Sequence, residues 1–289
     1  MECRNAVNPS GDSLPRPSTP ILRHTITPLP MHRFYLPPEQ CQDAILFLAG
    51  REAHHARHVV RVRCGERVAV LDGAGHQFLC DVQEYDRDNV KLVVVEKHFQ
   101  PALPSQVTLL QAVPKGKLME IIIQKATELG ASRIVPLLAE RVVAHLDDKD
   151  VAHKTAKWRA VAMEAIKQCG SAWLPEIEPP LTLNRFLARK ERFEMSLIAS
   201  LESDSRPARE YFRTFQAQHG RMPGSVCVWV GPEGDFTAAE TEAIKAQSAL
   251  PITLGRLILR TETAAIYCLS VLNYELQSPT SGEAPVFQP

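Results

Sequence analysis

Two clusters in the C-terminal third of the chain combine residue types able to bind and polarise a small ligand. The first is Ser225-Val226-Cys227-Val228-Trp229-Val230, running directly into Gly231-Pro232-Glu233-Gly234-Asp235-Phe236-Thr237. An apolar, β-branched run that stops at a glycine turn predicts a buried strand, a tight loop and a helix start. Gly231 and Gly234 leave space for close approach of backbone or ligand. Thr237 and Glu240 have the spacing of a capping box. Such a helix start turns N–H donors outward at the carboxyl end of a strand, where parallel sheets bind ligands. The spacing alone fits an ordinary strand-to-helix turn equally well.

The second cluster is Leu254-Gly255-Arg256-Leu257-Ile258-Leu259-Arg260-Thr261-Glu262-Thr263-Ala264. A glycine bend and a short apolar run lead into a charged segment at the start of a final helix, which Thr261 or Thr263 could cap. Arg260 falls where the loop opens onto the sheet edge. It reads either as a guanidinium presented to a ligand or as a salt-bridge partner of Glu262 or a neighbour.

Several chemistries lack their usual marks. There is no GxxxxGK[ST], no GxGxxG after a strand, no HExxH and no GxSxG. The seven cysteines (3, 41, 64, 80, 169, 227 and 268) are odd in number and form no CxxC pair. That argues against structural zinc or a disulfide framework and for reduced thiols in a cytoplasmic protein. No run of apolar residues is long enough to span a membrane, and no secretory signal is visible. His54, His55 and His58 lie close enough together to suggest a metal site.

The elements that would position these clusters follow from composition and period. Residues 1–30 carry six prolines among Ser, Thr and Asn, and predict a disordered leader. From residue 31 to 96 the dominant period is two, with strands expected at 67–71, 77–82 and 90–95, so a small β-barrel-like domain is expected. Pro101 and Pro104 mark a linker over 97–105. Residues 106–278 alternate apolar strands (107–113, 132–138, 195–199, 225–230) with helices (117–129, 152–168, 181–190, 207–218, 238–247, 262–276), leaving a tail at 279–289. This α/β pattern predicts a mostly parallel sheet covered on both faces.

With 33 basic and 33 acidic residues the chain has no net charge to attract a polyanion, so any RNA contact must rest on local patches. Residues 51–67 supply one: Arg51, Arg57, Arg61, Arg63 and Arg67 against Glu52 and Glu66. A solvated charged face is the plainer reading of the same run.

Four segments, in order, resemble the bacterial family of 16S ribosomal RNA uridine-N3 methyltransferases, of the SPOUT class of S-adenosylmethionine enzymes. They are His54–Glu66; Pro114-Lys115-Gly116-Lys117-Leu118-Met119-Glu120 with Ile123–Gly130; Glu164–Gly170; and the two C-terminal clusters. The resemblance covers about residues 32 to 276. It implies a PUA-like β domain, then a SPOUT domain with a C-terminal trefoil knot, a homodimer, and a 16S rRNA substrate within the 30S subunit. It implies no membrane and no DNA partner. It also implies no metal, and so makes His54, His55 and His58 interface or RNA contacts.

By the same resemblance S-adenosylmethionine is held by Leu197, Ala199 and Leu201, by Val230, Gly231, Pro232, Glu233 and Gly234, and by Leu254, Gly255, Ile258, Leu259, Thr263 and Ala264. Arg260 would stabilise charge on a uracil losing its N3 proton, with Glu262 orienting it or accepting that proton. RNA contacts are expected from Arg33, Arg57, Arg61, Arg63, Lys115, Lys125, Arg141 and Lys167. The family pattern GPEGG is broken by Asp235, which tolerates unusual backbone angles and points to an altered cap. An expected arginine is replaced by Leu257. Another SPOUT reaction, on a ribose 2′-oxygen or another base, and a silent rRNA-binding assembly factor are the alternatives.

Overall fold

The computed structural model describes residues 31–85, 88–141 and 148–277; the expected leader (1–30) and tail (279–289) lie outside the described residues. The first elements are β1 (Arg33–Tyr35), β2 (Ile45–Ala49), α1 (Gly50–His54) with a π-helical turn over His55–Val60, β3 (Arg67–Leu71), β4 (His76–Tyr85) and β5 (Asn89–Phe99). They form a five-stranded sheet in the order β1-β3-β4-β5-β2. Alternation along the strands turns Leu46 and Leu48, Phe78, Cys80 and Val82, and Val90 and Leu92 inward, onto Phe34, Val68 and Val70.

Two expectations are corrected here. Part of the basic stretch is helical, because Ala53 and Ala56 at a spacing of three turn into the core and a left-handed Arg61 closes the turn (φ 57°). The strand β5 continues through Phe99, three residues into the expected linker.

The second sheet begins with β6 (Gln106–Ala112), α2 (Leu118–Glu128), β7 (Arg133–Leu138), α3 (Asp148–Cys169), β8 (Glu176–Ile177), β9 (Leu181–Thr182) and α4 (Leu183–Ala188). It is completed by β10 (Met195–Ala199), α5 (Ala208–His219), β11 (Ser225–Val230), α6 (Ala238–Lys245), β12 (Ala249–Ile252) and α7 (Thr261–Gln277). Its order is β12-β10-β11-β6-β7-β8, with β9 also on β7, and every pairing is parallel. One core lies on the α2, α3 and α7 side, and a second, with Leu110, Leu137, Ile198 and Trp229, lies beneath α4 and α6. Burying Ile122 and Ile123 on α2 contributes about 2 kcal/mol each. As expected, Gly130 ends α2: with φ 80° it lets Ala131 N–H donate to the Ala126 carbonyl at 2.9 Å and its own N–H to Thr127 at 3.1 Å.

β12 lies at the sheet edge, yet α7 packs on α2, β6 and β11. The segment between Ile252 and Thr261 therefore returns across the carboxyl ends of β10 and β11. Among the described residues no helix is long and apolar enough to cross a membrane.

The two sheets meet along a seam. Gly75 N–H donates to Ala172 at 2.9 Å and Leu174 N–H to Gly73 at 3.0 Å. A Cβ on Gly75 would lie 2.7 Å from the Phe99 and Trp173 rings, and its φ of 98° adds to the demand for glycine. Lys167 is buried at this seam, bonded at 2.8 Å to Glu52 and 3.0 Å to Glu164, and Arg51 joins Glu164 at 3.1 Å.

Candidate active site

The sheet order makes the candidate loops neighbours. The strands β12, β10 and β11 are adjacent and parallel, so the segments after Ile252, Ala199 and Val230 emerge side by side at one edge. After β11, Asp235 N–H donates to the Pro232 carbonyl at 2.9 Å, and Asp235 itself takes the left-handed conformation (φ 60°). Its Oδ1 accepts from Phe236 N–H at 2.8 Å. This residue thus adopts a backbone that favours glycine and offsets part of the strain with its side chain. A Cβ on Gly231 would sit 2.6 Å from that oxygen, so the turn needs glycine there. The expected capping box is present: Glu240 N–H donates to Thr237 Oγ1 at 3.3 Å, and Thr237 N–H to Glu240 Oε2 at 2.9 Å. Asp235 changes the turn and leaves the helix cap intact.

Buried polar contacts tie this turn to the rest of the sheet edge. Thr261 Oγ1 donates to the Gly231 carbonyl at 2.6 Å and accepts from Gln111 Nε2 at 3.0 Å. The amide of Gln111, at the end of β6, also donates to the Ala112 carbonyl at 2.8 Å. Thr261 is therefore a strap from the last helix to the glycine turn. Gln111 was not expected at the site; a glutamine inside the apolar run Val107–Val113 is the mark that betrays it. Lys115 N–H donates to Glu233 Oε1 at 2.9 Å, Glu140 N–H to Glu240 Oε1 at 2.7 Å, and the Arg141 guanidinium to the Gly234 carbonyl. The loops after β6, β7 and β11 are thereby held together.

Around this frame the expected ligand residues divide. Leu201, Leu257 and Ile258 are 66%, 76% and 83% exposed, beside half-buried Ala199, Leu254 and Leu259 and an unobstructed Gly255. Apolar side chains left in solvent beside open backbone suit a flat heteroaromatic ring, so the residues present fit the adenine of S-adenosylmethionine. Leu197 and Val230 turn their side chains into the core, and Leu197 is paired on both sides within the sheet, which leaves the backbone as their means of meeting a ligand. Ala264 also packs in the core; Thr263 is exposed and Pro232 buried. The thiols of Cys227 and Cys268 are pushed up to about 12 by burial, so they stay neutral at physiological pH.

Arg260 is exposed, and its guanidinium has no hydrogen-bond or ion-pair partner among the described residues. No Arg260–Glu262 ion pair forms, although the two are close in sequence. Glu262 is half-buried, and its Oε2, like Gln111 Oε1, is buried without a hydrogen-bond partner among the described residues.

The expected RNA contacts divide as well. Arg61, Arg63, Lys115 and Arg141 are exposed, and Arg57 is half-buried. Arg33 packs its guanidinium at the seam, 3.2 Å from where a Cβ on Gly170 would lie. Lys125 is engaged by both oxygens of Glu128, at 2.9 and 2.8 Å. Lys167 is corrected: 5% exposed and held by two carboxylates, it is a structural cation with nothing to offer a phosphate. Arg67 pairs with Asp81 at 3.1 Å. The His54 and His58 rings lie 4.8 Å apart, and the described residues contain no group of three or more ligand-type side chains placed to hold a metal.

A parallel α/β sheet with its candidate loops after three adjacent strands, joined to an N-terminal five-stranded sheet, defines the class. A family model described as an RNA methyltransferase domain matches residues 101–273, and one described as an RNA methyltransferase PUA domain matches residues 48–95. The chain belongs to the ribosomal RNA small subunit methyltransferase E family, a SPOUT group that uses S-adenosylmethionine. It is 33% identical over 253 residues to the Bacillus subtilis protein of that name, covering 86% of this chain and 98% of the relative. The Mycobacterium tuberculosis protein is 31% identical over 239 residues, covering 83% and 90%. A Legionella pneumophila methyltransferase solved with bound S-adenosylmethionine superposes with a TM-score of 0.76 at 31% identity, covering 84% of this chain and 97% of that one. The Neisseria gonorrhoeae ribosomal RNA small subunit methyltransferase E, also bound to S-adenosylmethionine, gives 0.72 at 25% identity, with coverage of 84% and 96%.

Proposed function

We propose that this chain methylates N3 of a uridine in 16S rRNA, acting in the cytoplasm as a homodimer on the assembled 30S subunit. The observation that carries the reading is the convergence of the loops after β12, β10 and β11 beside the unpaired guanidinium of Arg260. When bound, S-adenosylmethionine supplies an electrophilic methyl group on a sulfonium.

The chain's own residues then divide the work. Leu201, Leu254, Ile258 and Leu259 cover the adenine, while Gly231–Gly234 and Gly255 present backbone donors and acceptors. Thr261 and Gln111 hold that loop still, so that the reacting atoms stay aligned. The N3 of uracil carries a proton that must leave before the nitrogen can attack, and negative charge spreads over the ring and its carbonyls. Arg260 stabilises that charge, and Glu262 takes the proton through water. The segment 31–96 grips RNA through Arg57, Arg61 and Arg63, and 106–278 carries catalysis. Lys115 and Arg141 add phosphate contacts at the catalytic edge.

The test is incubation of purified protein with labelled S-adenosylmethionine and 30S particles from a strain lacking the modification. Label entering 16S rRNA of 30S particles faster than naked 16S rRNA is the expected result. Folded protein that binds the particle and transfers no label would instead favour a silent assembly factor, for which the exposed Leu257 is the relevant departure.

A further inference from the structure

Beside the glycine turn lies a concavity to which that turn contributes Glu233 and which Arg260 does not line. It is a cavity of about 440 Å³ at the carboxyl ends of β6 and β7, floored by Val113, Pro114, Met119 and Trp158. Five cationic side chains surround it (Lys115, Lys117, Arg141, Lys154 and Lys157) with only Glu120 and Glu233 against them. Both carboxylates are already engaged. Glu120 takes Lys157 at 2.5 Å, and Glu233 accepts the Lys115 backbone N–H at 2.9 Å. The Arg141 guanidinium is bound to the Gly234 carbonyl. The ammonium groups of Lys115, Lys117 and Lys154 have no hydrogen-bond or ion-pair partner among the described residues.

Three unpaired ammonium groups around one cleft, in a chain with no net charge, make a local anion site. Glu233 joins its wall to the methyl-donor turn, so an anion held here is fixed relative to the reacting base. We propose that this cleft binds the RNA phosphodiester next to the target nucleotide, with Lys115, Lys117 and Lys154 as its clamp. The proposal rests on the RNA-methylation reading and gives that reading a substrate-positioning site. Point-charge ammonium groups suit a backbone phosphate and read no base, so the cleft sets register and leaves base choice to the methyl-transfer site.

The test replaces Lys115, Lys117 and Lys154 together with Gln, all three being at the surface or its edge so that the fold is kept, and checks the thermal midpoint. Binding to 16S rRNA in 30S particles is measured by filter retention from low to high salt, and S-adenosylmethionine binding by calorimetry on the same protein. Losing one clamped phosphodiester of single-stranded RNA makes the log-affinity against log-salt slope shallower by about 0.7, and KM for 30S rises at least tenfold. Affinity for S-adenosylmethionine stays within twofold. An unchanged salt slope overturns the proposal. So does a collapse of S-adenosylmethionine affinity with normal RNA binding, which would assign the clamp to the donor's carboxylate. An equal slope change on replacing Arg185, Arg192 and Arg213, exposed cations outside the cleft, overturns it too. If the unaltered protein transfers no methyl group but the triple variant shows the slope change against it, the RNA-methylation reading fails and the anion site stands.

Discussion

Replacing Thr261 with valine removes one hydroxyl and nearly nothing else, because the two side chains have closely similar shape. That hydroxyl is buried and makes two bonds, to the Gly231 carbonyl at 2.6 Å and from Gln111 Nε2 at 3.0 Å. After the change the Gly231 carbonyl has lost this partner, while the Gln111 amide keeps Ala112. An unsatisfied buried group costs about 1–3 kcal/mol, and the added methyl returns part of it, so a net loss of about 2 kcal/mol in stability is expected. In the proposed function Gly231 begins the donor loop, and each 1.4 kcal/mol lost from its pre-organisation weakens binding about tenfold. Urea unfolding and calorimetric titration with S-adenosylmethionine measure the two effects separately. The Thr261→Ser protein, which keeps the hydroxyl, should bind the donor like the parent and lose less than half as much stability. A valine variant that binds the donor as tightly as the serine variant would refute the claim that this strap positions the loop.

Three further substitutions have defined outcomes. Arg260→Ala should lower the methyl-transfer rate about a hundredfold, or about 3 kcal/mol, with S-adenosylmethionine affinity unchanged; full activity in single-turnover assays would remove it from the mechanism. Lys167→Met takes the cation from Glu52, which keeps only the Tyr35 N–H, and from the half-exposed Glu164, which keeps Arg51, and should cost about 2 kcal/mol in urea unfolding. Adding Glu52→Gln should recover part of that loss, and the salt dependence of RNA binding should not move in either protein. Asp235→Gly relieves a left-handed residue but deletes the bond to Phe236, so stability should stay within about 1 kcal/mol and activity should persist. A drop of tenfold or more in activity would show that Asp235 does more than shape the turn.

Much of this was legible because its causes are local. The strand Ser225–Val230, the capping box of Thr237 and Glu240, and the glycine end of α2 each depend on residues within a few positions of one another. The short β12 was missed because Pro251 lowers strand propensity, which an edge position tolerates. The helix beginning at Gly50 was hidden by a segment whose Ala, His, Arg and Val residues fit neither period cleanly. Lys167 looked like an RNA contact because its main partner, Glu52, lies 115 residues away. Leu197 and Val230 matched a ligand motif by position in the chain, yet only the sheet reveals that their side chains point into the core. Gln111 shows the reverse case: a polar residue in a core strand is visible in sequence, but its link to Thr261 spans 150 positions.

The central claim, that this sheet edge delivers a methyl group to a uracil nitrogen, is tested most directly by the chemistry of the product. 16S rRNA from 30S particles treated with the purified protein and S-adenosylmethionine is digested to nucleosides and analysed by mass and chromatographic retention. N3-methyluridine appearing at a single site, and failing to appear with Arg260→Ala over the same interval, is the predicted result. A methyl group on a ribose 2′-oxygen, on another base or only in 23S rRNA would contradict the account.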